Sequence, residues 1–421
     1  MSAAPRDFLS AAEASALLGV RRQTLYAYVS RGLVRSVGDG RSRERLYARE
    51  DLERLQQRAQ ARSGPEAVAA SALNLGHPLV PTRITEITPQ GPRYRGHLAV
   101  DLARRGVAFE QVAELLWTGL WHEEPFTWPA PPPHRPLQAL LKNMGAGEAR
   151  DQLAEAFALV VLQLGLGRGP AQERLIHGRP VDAARELILT LAGCFGFLSK
   201  AGRYRPVAPG LSVAQAVLQA LGARPAASDA ALLDAMLVLL ADHELSPGTF
   251  AARIAASGGS PVHACLAAGL ASSAGTEVAR RYGRVEAFLD EAGQGAAMQR
   301  QLQRLVSAGQ ATPGFGHPLY PAGDPRACWL VEQLRARRTL PEPARAALAL
   351  IDHAQRRHGL APRHELAVIA ACRALRFPPG TAGALFLLSR QAGWVAHVLE
   401  QRLSGTLIRP RARFVEAGAA G

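Results

Sequence analysis

Three separated polar segments carry the side chains best suited to chemistry. ADHELSPGTF (241–250) holds His243, and PGFGHPLYPAGDPRA (313–327) holds His317, Asp324 and Arg326. SRQAGWVAHVLEQ (389–401), followed by LIRPRARF (407–414), holds Arg390 and Arg409. Guanidinium forks match carboxylates bidentately, and imidazoles donate to carboxylate or carbonyl oxygens. Arg390 sits in a run, LFLLSRQAGWVAHVLEQ, that is otherwise nearly all apolar. Burying its charge unpaired would be costly, so it must meet an anion, either internal or a ligand. Each also has a plainer reading: His243 as a helix cap, Arg390 in an internal ion pair, Arg409 as a solvated charge. His243 lacks a second His four residues on, so the HExxH route to zinc is unsupported and no metal is expected.

The elements that must position these groups are mostly helical. ASDAALLDAMLVLLADHE (227–244) and PARAALALIDHAQRRHG (343–359) repeat apolar residues at helical spacing. The first predicts His243 at a helix C-terminus, where the macrodipole favours its cationic form. Ser246-Pro247 and Asp324-Pro325-Arg326 read as helix starts, the latter turning Arg326 back toward the site. Between them, Gly314 and Gly316 let backbone N–H groups approach a ligand while the prolines stiffen the loop. Such a loop suits a nucleotide or a planar carbonyl. The stretch PTRITEITPQGPRYRG (81–96) is the best strand candidate, and no internal repeat is evident.

Residues 1–62 make a separate case. They hold 12 Arg against 7 acids, an excess of +5. Ser10 is a candidate N-cap for AAEASALLG, Gly19-Val20 makes a tight turn, and RRQTLYAYVSRG forms a second helix ended by Gly32. Two short helices joined this way are a helix-turn-helix, whose second helix can enter the major groove. Arg21, Arg22, Gln23, Thr24 and Tyr26 would reach bases and phosphates from its N-terminal end. Arg41, Arg43 and Arg45, in DGRSRERLY, would contact DNA from a wing. A helical protein-interaction module with solvated arginines is the alternative. Residues 63–71 read as a linker, and 72–421 as the body.

Composition is compatible with both parts. The chain has 421 residues, 48% hydrophobic, and a net charge of +14 that favours polyanions such as nucleic acid or a CoA phosphate. Nearly all the positive charge is Arg, with Lys only at Lys142 and Lys200. No apolar run approaches the ~18 residues of a membrane span, and the first residues lack a secretory h-region. Cys194, Cys265, Cys328 and Cys372 form no CxxC pair and read as reduced thiols of a cytoplasmic protein.

In order and spacing these motifs, with GPRYRGHLAVDLARRGVAFEQVAELLWTG near the start, resemble the citrate synthase family over residues 72–414. The DGRSRERLY turn and the Tyr47-led REDLERL resemble MerR-type and excisionase-type DNA-binding domains. The resemblance implies a two-domain helical fold, with a small domain at roughly 280–376 closing over a large one. A small winged helix-turn-helix domain would precede it. It also implies a homodimer that joins acetyl-CoA, or another acyl-CoA, to oxaloacetate without a bound cofactor. His243, His317, Arg326 and Arg390 would hold the carboxylates and keto oxygen, with His317 and Glu365 as the catalytic residues. Arg409 would reach a partner's site, and Gly314, Phe315, Gly316, Pro318 and Leu319 would line the adenine end of CoA. Two departures stand out. Val278 occupies the place of the His in the family's PxHGGAN-like segment, which polarises the acetyl carbonyl. Glu365, in APRHELAVIA, stands at the base Asp of the PNVDxxSG-like segment. Two functions follow as expectations: an acyltransferase with impaired or altered acid–base groups, or an altered substrate, and a DNA-binding appendage; or a transcriptional regulator whose non-catalytic effector domain senses a carboxylate or acyl-CoA.

Overall fold

The computed structural model describes residues 8–30, 34, 36–38, 45–49, 51–52, 80–132, 134–144, 147, 152–166, 180–223, 226–275, 279–291, 293 and 295–410. Val278, Gly32, Arg41 and Arg43 lie outside these residues. The chain divides into two compact units, Met1–Pro81 with Arg409–Gly421, and Thr82–Ile408.

In the first unit, Ser10 caps the helix Ala11–Leu18 in a reciprocal capping box with Glu13, and Gly19 ends it in the left-handed conformation. A second helix, Arg22–Ser30, follows directly. Strand Arg45–Ala48 pairs antiparallel with Phe8–Leu9 on one side and Ser36–Gly38 on the other, in the register Gly38↔Arg45. This is the paired edge that a wing requires. Leu9, Ala14, Leu25, Val34, Tyr47 and Leu52 form its small core.

The second unit is helical apart from a hairpin. Thr85–Thr88 pairs with Gly91–Tyr94, and His97–Leu98 adds a short third strand, within the stretch read as strand from sequence. The predicted helices occur as Ala227–Leu240 and Glu342–His358, the latter closed by Gly359 in the left-handed conformation. The longest described helix, Thr381–Ser404, is buried over most of its length. It packs against helices Ala227–Leu240, Pro247–Ser257 and Val262–Ser273. Its approach to the 241–243 turn depends on Gly393, whose backbone N–H donates to the Ala241 carbonyl. A Cβ there would lie 2.1 Å from Asp242 Oδ1, so no other residue fits. Helices Pro325–Arg335 and His364–Ala374 pack on each other nearby. Among the described residues, no helix is long and apolar enough to cross a membrane.

Candidate active site

His243, His317, Arg326 and Arg390 converge, though each arrives from a different element. His243 does not end the Ala227–Leu240 helix. It lies in the turn beyond it, followed by Glu244 at positive φ. Its ring is 5.8 Å from that of His317, and its Nε2 is 3.2 Å from the Tyr320 hydroxyl. Burial pushes its pKa well below the usual value, and the charges of Arg326 and Arg390 push it further. The macrodipole expectation of a cationic His243 is therefore overturned: the imidazole is neutral at pH 7, because desolvation and two arginines outweigh the helix end.

His317 stands on the Gly314–Leu319 loop. Arg363 N–H donates to the Gly314 carbonyl at 2.8 Å, and Gly316 N–H donates to Ala361 at 3.1 Å, tying the loop to the segment before helix His364–Ala374. Gly314 is at φ +83, and a Cβ would meet Leu366 at 2.9 Å. His317 Nδ1 accepts from Leu319 N–H at 3.1 Å, which leaves Nε2 for the site. Burial lowers its pKa to about 4. Phe315 is buried, whereas Gly316, Pro318 and the 53% exposed Leu319 face outward.

Asp324 caps helix Pro325–Arg335 by accepting from Arg326 N–H, and its carboxylate binds the same residue's guanidinium at 3.0 and 2.7 Å. This pair is fully buried. Burial alone would raise the Asp324 pKa, but Arg326 holds it well below the carboxylate range. Arg326 Nη1 nevertheless has no hydrogen-bond partner among the described residues, and neither do Arg390 Nε and Nη1. A buried donor left unsatisfied costs about 1–3 kcal/mol, more when charged. Three such atoms lie on two buried arginines, and an acceptor-rich anion could satisfy them.

Glu365, in the first turn of helix His364–Ala374, is buried within a cationic cluster. It meets Arg281 Nη1 at 3.3 Å, Arg363 Nε at 3.2 Å and His364 Nδ1 at 3.3 Å. Burial raises its pKa, but His364, Arg363 and Arg281 outweigh that and bring it to about 2. Arg281 and Arg363 pair with Glu365, Arg326 pairs with Asp324, and the charge of Arg390 helps to hold the Asp242 pKa down.

Three contributors went unnoticed in the sequence reading. His364 meets Asp324 Oδ2 at 3.3 Å, Tyr320 carries Arg326 over its ring at 5.9 Å, and Tyr282 packs on His364. Nothing in their spacing singles them out, although His364 adjoins Glu365 and Tyr282 lies where the PxHGGAN-like segment carries Asn. His317, Asp324 and His364 bring potential metal ligands within 4.8 Å of one another. Arg326 already occupies both Asp324 oxygens, so a cation would have to displace it, and the site suits an anion better. Arg409 is exposed and falls outside the Thr82–Ile408 unit.

In the helix-turn-helix unit, Arg21, Arg22, Gln23 and Thr24 are exposed, and Tyr26 is 51% exposed. Arg45 is exposed, with Nη1 3.5 Å from Ser36 Oγ.

Comparison with known proteins agrees with this division. Residues 75–411 match the family model "Citrate synthase, C-terminal domain", and residues 8–60 match a helix-turn-helix domain. Putative citrate synthase 2 of Mycobacterium tuberculosis (strain ATCC 25618 / H37Rv) is 34% identical over 191 residues, 44% of this chain and 51% of that protein. The match thus spans about half of that relative's length. The 2-methylcitrate synthase of the same organism is 24% identical over 345 residues, 79% of this chain and 87% of its own. Among solved structures, citrate synthase of Thermoplasma acidophilum, in a ternary complex with carboxymethyl coenzyme A and oxaloacetate, superposes with a TM-score of 0.67 at 22% identity. That superposition covers 83% of this chain and 97% of the other. The chain belongs to the citrate synthase family and carries a helix-turn-helix domain ahead of its citrate synthase fold.

Proposed function

We propose that the Thr82–Ile408 unit binds an oxaloacetate- or citrate-type carboxylate together with a CoA ester, and condenses them far more slowly than a working synthase. In the same proposal the helix-turn-helix domain binds double-stranded DNA, so the whole protein is a carboxylate-responsive DNA-binding homodimer. The observation that carries the ligand is the set of unpartnered, buried donors on Arg326 and Arg390 beside two neutral imidazoles. Neutral histidines donate one N–H each to a keto or hydroxyl oxygen, while the arginines take carboxylates.

Condensation needs the acetyl methyl proton to move to a carboxylate as a carbon–carbon bond forms at the keto carbon. Glu365 is the carboxylate in place, and two features weaken it. Its side chain is one methylene longer than Asp, a displacement of ~1.5 Å, and misplacement of ~1 Å can cost ~100-fold. Its low pKa and its arginine contacts make it a poor proton acceptor. Val278 cannot donate to the thioester carbonyl, and loss of such a donor costs about 10²–10³.

The test is thermal denaturation with oxaloacetate, citrate or acetyl-CoA alone. Ligand at ~100 times its Kd should add about 2.7 kcal/mol of stability. Absence of a shift with every carboxylate at millimolar concentration would remove the basis for this reading.

A further inference from the structure

Behind the cradle, on the same long helix that carries Arg390, lies a buried polar chain. Arg390, Gly393 and His397 recur at i, i+3 and i+7 on one face of helix Thr381–Ser404. Asp242, Arg253 and His397 are each at most 1% exposed. His397 Nδ1 lies 3.1 Å from Arg253 Nη1, and its Nε2 lies 3.3 Å from Asp242 Oδ2. A guanidinium has donors only, so Nδ1 must be the accepting, unprotonated nitrogen. The neutral ring then carries its proton on Nε2 and donates it to the Asp242 carboxylate. Arg253 is itself held, by Nε to Gln401 Oε1 at 2.9 Å and by Nη1 to Glu400 Oε2 at 2.7 Å. Glu400 also accepts the Arg83 backbone N–H at 2.7 Å, which anchors the far end of the chain.

The near end is the turn that bears His243. Asp242 Oδ2 accepts the Glu244 N–H at 3.1 Å, closing a turn in which Glu244 stands at φ +56. A non-glycine residue is strained there, so the turn depends on what holds it. Burial opposes the charge on Asp242, and Arg390 is among the cations that offset it. One carboxylate therefore serves both an imidazole and a guanidinium of the cradle. We propose that His397 and Arg253 are positioning residues for the carboxylate site. Arg253 sets the His397 tautomer, His397 holds Asp242, and Asp242 holds the His243 turn and balances the charge of Arg390. Both act through Asp242 rather than on the ligand. This rests on the carboxylate-binding reading above.

Calorimetric titration of the full-length protein with citrate and imidazole nitrogen NMR test it together. The wild-type spectrum should show His397 protonated on Nε2, a result that needs no variant to fold. His397→Phe keeps a ring but loses the donor, and should weaken citrate at least ~10-fold, about one hydrogen bond to a charged group. The amide of His397→Gln can accept from Arg253 and donate to Asp242, and should bind citrate within about threefold of wild type. A purely structural role would instead lower the chemical-denaturation midpoint and leave the citrate affinity of the folded protein unchanged. That outcome in His397→Phe, equal losses in both variants, or a wild-type His397 protonated on Nδ1 would each overturn the positioning role. If wild type binds neither citrate nor oxaloacetate, the carboxylate-binding reading fails and the positioning role with it. If wild type binds and His397→Phe binds equally well, only the positioning role fails.

Discussion

The two arginine sets proposed to bind anions sit in opposite physical regimes. Arg326 and Arg390 are buried to 1% and 2% exposure, and each keeps donor atoms without partners. Arg21 and Arg22, on the helix-turn-helix unit, stand in water. A buried guanidinium has already lost its hydration, so a ligand that supplies acceptors recovers a large fraction of that cost. A solvated one exchanges water and counterions for phosphate, with little gained per residue and strong dependence on salt. A single substitution should therefore abolish function in the first set and only attenuate it in the second.

The largest effect is expected at Arg326. Arg326→Ala leaves Asp324 buried without its guanidinium, so it should destabilise the protein by about 3–5 kcal/mol as well as abolish carboxylate binding. Arg390→Leu separates the two effects. It removes a guanidinium with unmet hydrogen bonds, so chemical denaturation should show equal or higher stability, with the citrate-induced thermal shift lost. A stable Arg326→Ala, or a citrate-responsive Arg390→Leu, would break the contrast drawn between buried and exposed arginines.

A smaller effect should appear with pH. An unfolded His titrates near ~6.5, whereas His317 is held at about 4 and His243 well below its usual value. Between these limits the unfolded chain takes up protons that the native site refuses. Stability should fall as pH drops below ~6.5. A bound polyanion favours the protonated imidazoles and should flatten the slope. Melting temperatures from pH 7 to pH 5, with and without citrate, check this; parallel slopes would contradict it.

The smallest effect per residue belongs to the exposed set. Arg21→Ala and Arg22→Ala should each weaken DNA binding at all sequences alike and reduce the slope of log K against log salt by ~0.9. Carboxylate binding should be untouched. Fluorescence anisotropy across a salt series measures both quantities.

Much of the fold was legible because it depends on local signals. The Ser10 capping box, the Gly19 and Gly359 helix ends, the Asp324-Pro325 start and the 81–96 hairpin each follow from a few adjacent residues. The grouping of His243, His317, Arg326 and Arg390 was legible, since each lies in a recognisable motif and the four come together. Their charge states were not. His243 looked cationic from its place after a helix, and only burial beside two arginines shows it to be neutral. Glu365 could be located from its motif, but its two arginines come from different segments, 84 residues before it and two residues before it. Tyr282 joins the group through tertiary packing, whereas Tyr320 and His364 adjoin residues already singled out, His317 and Glu365.

The central claim is that the carboxylate cradle is intact while the proton-accepting end has been neutralised. CoA release from acetyl-CoA at saturating oxaloacetate tests it most directly. The expected rate is at least ~10³-fold below the ordinary enzymatic range of ~1–10³ s⁻¹. A rate within that range would show that Glu365 accepts the proton despite Arg281 and Arg363, and would contradict the account.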